Sequence, residues 1–279
     1  MIVTGASGLV GRALVSHVAA EGETVVGFDH ATLDITNSSA IESTFTAERP
    51  DVVVNCAAWT DVDGCESDRR HAMAANAEGP ELLARGCREI EALFITISTD
   101  YVFDGAKEGF YTQSDEPNPL SVYGVSKVDG ERRAVAAWDR TIVVRSGYIF
   151  GSGGTNFLST LIPRASRGDR LTAITDMIGT PTYAADLAAR IYELARLDRP
   201  AIYHVVNAGD GASFADFAAC ALEKAGLDGD LLQLTTLDSL KRPAPRPRNS
   251  RLRCLLSEEL GLEPLPFWQD SVAQFVALD

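Results

Sequence analysis

The sequence lacks any apolar run close to the roughly 20 residues that a membrane span requires. Its first residues read as a short strand and a glycine loop rather than as a signal peptide. Its net charge of −14 leaves no basic excess for binding nucleic acid. These absences predict a cytoplasmic protein with neither a membrane nor a nucleic-acid partner. At 279 residues, the chain can bury a substantial core.

Cysteine is scarce and follows no ligand or disulfide pattern. The five cysteines are Cys56, Cys65, Cys87, Cys220 and Cys254. Their number is odd and no two of them form a Cys-x-x-Cys pair. This distribution predicts free thiols, and it argues against a disulfide framework or a zinc site.

Lysine is rare too, with four against 21 arginines, and one of the four follows a tyrosine at helical spacing. In Tyr123-Gly124-Val125-Ser126-Lys127 the tyrosine and the lysine share one face of a helix. A nearby ammonium favours the phenolate and lowers the phenol pKa from about 10, so that Tyr123 can exchange a proton with a substrate. The spacing alone arises by chance in about one sequence in ten, and an ordinary surface helix would also show it.

A glycine-rich loop near the start of the chain predicts a dinucleotide site. The apolar pair Ile2-Val3 leads into Thr4-Gly5-Ala6-Ser7-Gly8-Leu9-Val10-Gly11, and an amphipathic helix follows. The first glycine permits a tight turn, the second lets backbone N–H groups approach a pyrophosphate, and the third lets helix and strand pack closely. A tight turn alone would also explain the glycines, but the strand before them and the helix after them favour the dinucleotide site.

Apolar, β-branched segments alternate with helical segments, which predicts an α/β fold. The predicted strands lie near residues 1–4, 24–28, 51–55, 92–98, 141–146 and 202–206. The predicted helices lie near residues 9–20, 38–48, 67–88, 121–137, 156–168 and 182–196. We predict a Rossmann-like, doubly wound parallel sheet with a smaller C-terminal substrate-binding lobe. The dinucleotide-binding domain would comprise 1–150, with 182–207 returning to it, and the lobe 151–181 and 208–279.

Polar clusters fall where the predicted strands end. Asn55-Cys56-Ala57-Ala58 closes the third strand, Ser98-Thr99-Asp100-Tyr101 the fourth, and Arg145-Ser146-Gly147-Tyr148 the fifth. Ligands of open parallel sheets bind outside the carboxyl ends of the strands, so these clusters are expected to converge. Neighbours along a strand point to opposite faces, so only one of Ser98 and Thr99 can face the site well.

Together these motifs resemble the extended short-chain dehydrogenase/reductases, and in particular the dTDP-4-dehydrorhamnose reductase family. The resemblance is carried by the glycine loop, Asn-x-Ala-Ala, Ser-Thr-Asp-Tyr-Val-Phe-Asp-Gly at 98–105 and Tyr-Gly-x-Ser-Lys. Further family motifs follow in order over nearly the whole chain: Val62-Asp63-x-x-Glu66, Asn76-x-x-Gly79, Gly154-Thr155-Asn156-Phe157, a Gly-x-Pro-Thr-Tyr-Ala-x-Asp-Leu-Ala run at 179–188, and Arg246-Pro247-x-Asn249-Ser250-x-Leu252.

The resemblance implies NAD(P)H-dependent reduction of the C4 ketone of a nucleotide-activated 6-deoxy-4-keto-hexose, giving dTDP-L-rhamnose. By this analogy the nicotinamide supplies hydride, Tyr123 donates the proton, Lys127 lowers the tyrosine pKa and holds the nicotinamide ribose, and Thr99 hydrogen-bonds the sugar oxygen. The implied substrate contacts are Val62, Thr99, Tyr101, Tyr148, Asn156 and Arg246. Tyr148 stands where the family usually has tryptophan, which keeps an aromatic wall in the pocket.

The cofactor contacts implied by the glycine loop and the resemblance are Gly5, Ser7, Gly8, Leu9, Val10, Gly11, Asp29, His30, Asp34, Ile35, Cys56, Ala57, Ala58, Tyr123 and Lys127. Asp29 lies where a carboxylate accepts ribose hydroxyls and repels a 2′-phosphate, which favours NADH. Arg12 and His30 are near enough to offset that repulsion, and family members often accept NADPH. We predict NADPH, with NADH also accepted. Magnesium is implied by the resemblance only, because the sequence shows no cluster of metal ligands.

Two other functions stay open. A sugar-nucleotide epimerase or dehydratase would share the scaffold, but a dehydratase needs an Asp-Glu pair after the active-site threonine, whereas Asp100-Tyr101 follows Thr99 here. The family also resembles the non-catalytic, NADP-binding β subunit of methionine adenosyltransferase. A homodimer is predicted only because symmetric dimers are the commonest assembly.

Overall fold

A computed structural model describes residues 1–278 of the chain. Its strands are β1 (Ile2–Thr4), β2 (Val26–Phe28), β3 (Val52–Asn55), β4 (Leu93–Thr99), β5 (Thr141–Ser146), β6 (Ile149–Phe150), β7 (Leu171–Ile174), β8 (Ile178–Gly179), β9 (Thr182–Tyr183), β10 (Ile202–His204), β11 (Ala212–Ser213) and β12 (Leu232–Thr235). Its α-helices are α1 (Leu9–Ala20), α2 (Ser38–Glu48), α3 (Val62–Ser67), α4 (Arg69–Met73), α5 (Gly79–Glu89), α6 (Val122–Ala137), α7 (Phe157–Ser166), α8 (Ala184–Leu197), α9 (Phe214–Lys224), α10 (Leu255–Glu259) and α11 (Trp268–Leu278).

Six parallel strands form the main sheet, in the order β10-β5-β4-β3-β1-β2. Successive side chains alternate between its two faces, so Val3 and Ile95 pack with α1 and α8 on one side. Their neighbours Ile2 and Phe94 pack with α2, α5 and α6 on the other side. The sheet is therefore covered by helices on both faces, which confirms the predicted Rossmann-like α/β fold.

The C-terminal part of the chain builds short two-stranded sheets outside the main one. They pair β6 with β9, β7 with β12 and β8 with β11. An aromatic cluster that includes Phe150, Phe217 and Phe275 packs β6 against α9 and α11. Among the strands after β5 in residues 1–278, β10 alone joins the main sheet, where it pairs with β5. The division of the chain into two domains stays a prediction.

The predicted helix near residues 67–88 is confirmed as one continuous helical stretch over 69–89, in which α4 passes through a π-helical turn into α5. Asp68 ends α3 with non-helical backbone angles, and its side chain caps α4 by accepting from the His71 N–H at 2.9 Å. A π-helical turn, Ala74–Glu78, then precedes α5. Within that turn the buried Asn76 bonds both the N–H and the carbonyl of Trp59. The sequence does not predict this π-helical turn, because it accompanies bonds between Asn76 and the distant Trp59.

None of the helices in residues 1–278 is long and apolar enough to cross a membrane. All five cysteines are free, which confirms the prediction of free thiols.

Candidate active site

A cavity of about 310 Å³ opens at the carboxyl ends of β3, β4 and β5. Nine of the predicted site residues line it: Val10, Cys56, Ala58, Val62, Thr99, Tyr101, Tyr123, Lys127 and Tyr148. These residues are far apart in the sequence, and they meet because parallel strands bring their carboxyl ends to one edge of the sheet. The expected convergence of the polar clusters is confirmed.

The glycine loop between β1 and α1 is too tightly packed to accept side chains at two positions. Gly5 has a φ of 65°, and a Cβ there would lie 2.6 Å from the Ala57 backbone nitrogen. A Cβ on Gly11 would lie 2.3 Å from the Gly5 carbonyl oxygen. The start of α1 therefore packs directly against the loop, and its N-terminal N–H groups form a cradle suited to an anion such as a pyrophosphate.

A buried asparagine, which sequence reasoning did not assign to the site, ties strands β1, β3 and β4 together. Asn55 accepts hydrogen bonds from the Thr4 hydroxyl at 2.7 Å and from the Ala57 N–H at 3.2 Å. Its amide nitrogen donates to the Thr96 hydroxyl at 3.2 Å. These bonds fix the Ala57-Ala58 segment beside the glycine loop.

Tyr123 lies in the first turn of α6, which Ser121 caps. The pKa of Tyr123 is raised above its ordinary value, chiefly because the side chain is buried. The charge of Asp100 raises the pKa further, whereas the interaction with the Thr99 hydroxyl lowers it. The prediction that this pKa is lowered is therefore wrong for the structure. Lys127 Nζ donates to the Ile97 carbonyl at 2.7 Å, and burial outweighs any stabilisation of the phenolate. A raised pKa keeps the phenol protonated at neutral pH, as a proton donor requires.

Burial lowers the pKa of Lys127 to about 8, although the charge of Glu131 raises it. Glu131 lies one helical turn further along α6 and forms a bidentate salt bridge with Arg145. Arg145 Nε and Nη2 donate to the two carboxylate oxygens at 2.9 and 2.6 Å. Glu131 also accepts a short hydrogen bond from the Ser98 hydroxyl. Because the Ser98 hydroxyl donates to Glu131, Thr99 is the residue whose hydroxyl remains beside Tyr123 in the cavity. Sequence reasoning missed this buried cluster, whose only signal is the four-residue spacing of Lys127 and Glu131.

The rings of Tyr148 and Phe214 also line the cavity. The Tyr148 ring stacks on Phe214, with 4.3 Å between centroids, and it lies against Gly179, where a Cβ would approach the ring to 2.4 Å. Tyr148 has a φ of 46°, a left-handed conformation unusual for a tyrosine. Sequence reasoning missed Phe214, because nothing in the local pattern distinguishes it from a core residue.

The predicted adenosine contacts lie beyond the cavity, after the end of β2. The Asp29 carboxylate accepts from the Ala31 N–H at 3.1 Å and from the Thr32 N–H and hydroxyl at 3.0 and 2.9 Å. The Thr32 side chain is the main cause of a lowered Asp29 pKa, so this exposed carboxylate stays ionised at neutral pH. Asp34 likewise accepts from Thr36, and Ile35 is buried.

Two predicted substrate contacts have structural partners. Arg246 forms a bidentate salt bridge with Asp63, with nitrogen–oxygen distances of 3.0 and 2.9 Å. This salt bridge joins the C-terminal segment to α3. Asn156 caps α7 and donates to the carbonyls of Gly151 and Gly154 at 2.6 and 3.0 Å. Neither residue lines the cavity, and their contact with substrate stays a prediction.

Within residues 1–278, no group of three or more His, Cys, Asp or Glu side chains is arranged to hold a metal ion. The magnesium implied by the resemblance therefore has no ligand cluster in this part of the chain.

Comparison with known proteins gives matches over the whole chain. The family model described as the RmlD substrate binding domain matches residues 1–278. A dTDP-4-dehydrorhamnose reductase of Streptomyces griseus is 39% identical over 279 residues, which cover 98% of this chain and 91% of that protein.

Solved structures agree with the sequence matches. A dTDP-4-dehydrorhamnose reductase of Clostridium acetobutylicum superposes with a TM-score of 0.95 at 34% identity, over 99% of this chain and 98% of that one. The Bacillus anthracis dTDP-4-dehydrorhamnose reductase, solved in complex with NADP, gives a TM-score of 0.96 at 30% identity over 100% and 98% of the two chains. The chain therefore belongs to the dTDP-4-dehydrorhamnose reductase family, as its motifs predict.

Proposed function

We propose that the protein is a reductase that uses NADPH, and also accepts NADH, to reduce the C4 ketone of dTDP-4-dehydro-L-rhamnose to dTDP-L-rhamnose. The observation that carries the proposal is the meeting of Thr99, Tyr123 and Lys127 in one cavity beside the glycine loop. Reductases of this name are the relatives and neighbouring structures reported above, and one of them was solved with NADP.

The residues at the cavity fit a dinucleotide. At Gly5 and Gly11 the loop packs backbone against backbone, which holds the N–H groups at the start of α1 in a cradle for a pyrophosphate, and a Cβ at either position would displace the loop. Cys56, Ala58 and Val10 line the neighbouring wall with small or apolar side chains. A reduced nicotinamide, when bound, supplies the hydride.

The protein's own residues supply the proton and the electrostatic support. Tyr123 remains a phenol at neutral pH because it is buried. It can therefore donate its proton to the oxygen of the sugar ketone as negative charge develops there. Lys127 lines the same cavity and carries a positive charge. This charge stabilises the tyrosinate that forms when Tyr123 gives up its proton.

The direct test is turnover. The purified protein, mixed with dTDP-4-dehydro-L-rhamnose, should consume NADPH with formation of an equal amount of dTDP-L-rhamnose. Binding of NADPH without its consumption would contradict the proposal and favour the non-catalytic regulatory subunit. Conversion of a dTDP-hexose without net consumption of NADPH would favour an epimerase or dehydratase.

The glycine cradle gives a first prediction. Gly11→Ala should weaken NADPH binding by at least about tenfold, because the added Cβ would lie 2.3 Å from the Gly5 carbonyl and displace the loop. Fluorescence titration with NADPH measures the dissociation constant. Gly229→Ala is the matched control, since nothing lies within 4 Å of a Cβ at that position. Equal affinity in the two variants would show that the cradle does not hold the dinucleotide.

The Asp29 carboxylate gives a second prediction. Asp29→Asn should raise kcat/KM for NADPH relative to NADH by about two- to fivefold, because it removes an ionised group that repels a 2′-phosphate. Steady-state kinetics with each cofactor measures the ratio. Glu23→Gln, which removes an exposed acid paired with Arg196, should leave the ratio unchanged. An unchanged ratio in Asp29→Asn would place the adenosine ribose elsewhere.

A further inference from the structure

The ring of Tyr148 lies between Gly179 and the cavity. Tyr148 lines the cavity, whereas Gly179, on β8, does not. A Cβ on Gly179 would lie 2.4 Å from the ring atom Cε1 and 2.7 Å from each of its neighbours, Cδ1 and Cζ. A group beyond the edge of the ring would be much farther from these two neighbours than from Cε1. The backbone of Gly179 therefore packs against the face of the ring.

The strand that carries Gly179 is held on both edges. On one edge Gly179 pairs with Ala212 of the antiparallel strand β11. On the other edge the Ile178 N–H donates to the Arg248 carbonyl at 2.8 Å, and the Ile178 carbonyl accepts from the Ser250 N–H at 2.8 Å. A side chain added at Gly179 could not be accommodated by moving β8 without breaking these bonds.

The Tyr148 ring, by contrast, is positioned by packing alone. It stacks on Phe214 with 4.3 Å between centroids, and Phe214 is in turn supported edge-on by Phe157 at 5.0 Å. The Tyr148 hydroxyl is buried and makes no hydrogen bond within the described residues. Of the groups that meet here, the Tyr148 ring is therefore the one that yields most easily, and the open space beside it is the cavity.

We propose that Gly179 is a specificity-determining residue, because its lack of a side chain lets the Tyr148 ring lie back and leaves room in the cavity for the hexose of a sugar nucleotide. The inference deepens the proposed function and rests on it for the identity of the hexose. With a Cβ at 179, the ring would have to move by about 1 Å to restore an ordinary carbon–carbon separation of about 3.5 Å. That movement would narrow the space for the sugar and leave the glycine cradle untouched.

Equilibrium binding of dTDP-L-rhamnose, dTDP and NADPH, measured by titration calorimetry, tests the proposal. Gly179 has no positive φ, so Gly179→Ala adds a methyl group without backbone strain. It should weaken binding of dTDP-L-rhamnose by about tenfold or more, because overpacking excludes the hexose, and leave binding of dTDP and NADPH within about twofold. Gly229→Ala, whose Cβ would have nothing within 4 Å, is the control and should change none of the three. Unchanged affinity for dTDP-L-rhamnose in Gly179→Ala, or an equal loss of affinity for dTDP, would overturn the proposal.

The same substitution in a Tyr148→Ala background shows whether the ring transmits the effect. Without the ring, Gly179→Ala should change the affinity for dTDP-L-rhamnose by less than about twofold. A tenfold loss in this background as well would overturn the proposal. So would failure of Gly179→Ala to fold: if the double variant folds, the ring cannot yield toward the cavity, and if it does not, β8 itself is the obstacle.

These binding measurements are independent of turnover. They decide the role of Gly179 even if the protein binds dTDP-L-rhamnose and consumes no NADPH, a result that would refute the reductase alone. A wild-type protein that does not bind dTDP-L-rhamnose would overturn both proposals.

Discussion

Replacing Tyr123 by phenylalanine is expected to lower kcat for reduction of the sugar nucleotide by about 10²- to 10⁴-fold, the usual contribution of a positioned acid. The substitution removes only the hydroxyl, which carries a transferable proton in the cavity that Thr99 and Lys127 also line. Steady-state assays of NADPH consumption measure the effect. The affinity for NADPH should change little, because the glycine cradle is untouched.

Tyr192→Phe is the matched control for this prediction. Tyr192 lies on α8, and its hydroxyl accepts only from Arg196 at the surface, so the variant should keep wild-type activity. A Tyr123→Phe protein that retains more than about a tenth of the wild-type kcat would rule out Tyr123 as the proton donor.

Replacing Glu131 by alanine is expected to lower the free energy of unfolding by about 3–5 kcal/mol, because it leaves the Arg145 guanidinium buried without its partner. The two side chains are 3% and 6% exposed, so water cannot replace the lost carboxylate. The Ser98 hydroxyl would lose its acceptor as well. Denaturant unfolding followed by circular dichroism measures the loss.

An exposed ion pair provides the control for Glu131. Glu89→Ala removes the partner of Arg88, and those two side chains are 71% and 51% exposed, so the change should stay within about 0.5 kcal/mol. A similar small loss in both variants would mean that the buried pair contributes no more than a surface pair. Glu131→Ala should also lower the Lys127 pKa further, because the Glu131 charge raises it.

Local patterns predicted the parts of the site that lie within one motif. The helix ranges 9–20 and 38–48 agree with α1 and α2. The glycine loop predicted a cradle because its residues are consecutive and each glycine has a local steric reason. Tyr123 and Lys127 could be placed on one helix face because helical spacing is a property of the chain itself.

Contacts between distant segments could not be predicted in this way. Asp100 meets Ser250 across 150 positions, and the pairs Glu131–Arg145 and Arg246–Asp63 likewise join different elements. No periodicity encodes such pairs, since they depend on how strands and loops are brought together. The π-helical turn within the predicted helix near 67–88 has the same origin, because Asn76 in that turn bonds the distant Trp59.

By itself, the sequence determined the α/β class, the nucleotide loop, the tyrosine and lysine on α6 and the family to which the chain belongs. These follow from residue order, which sets spacing, turns and strand ends. Only the tertiary structure decided the protonation of Tyr123, because a pKa depends on burial and on charges from other elements. The spacing predicted a phenol activated by its lysine, whereas the folded chain buries that phenol beside Asp100 and Thr99 and keeps its proton in place.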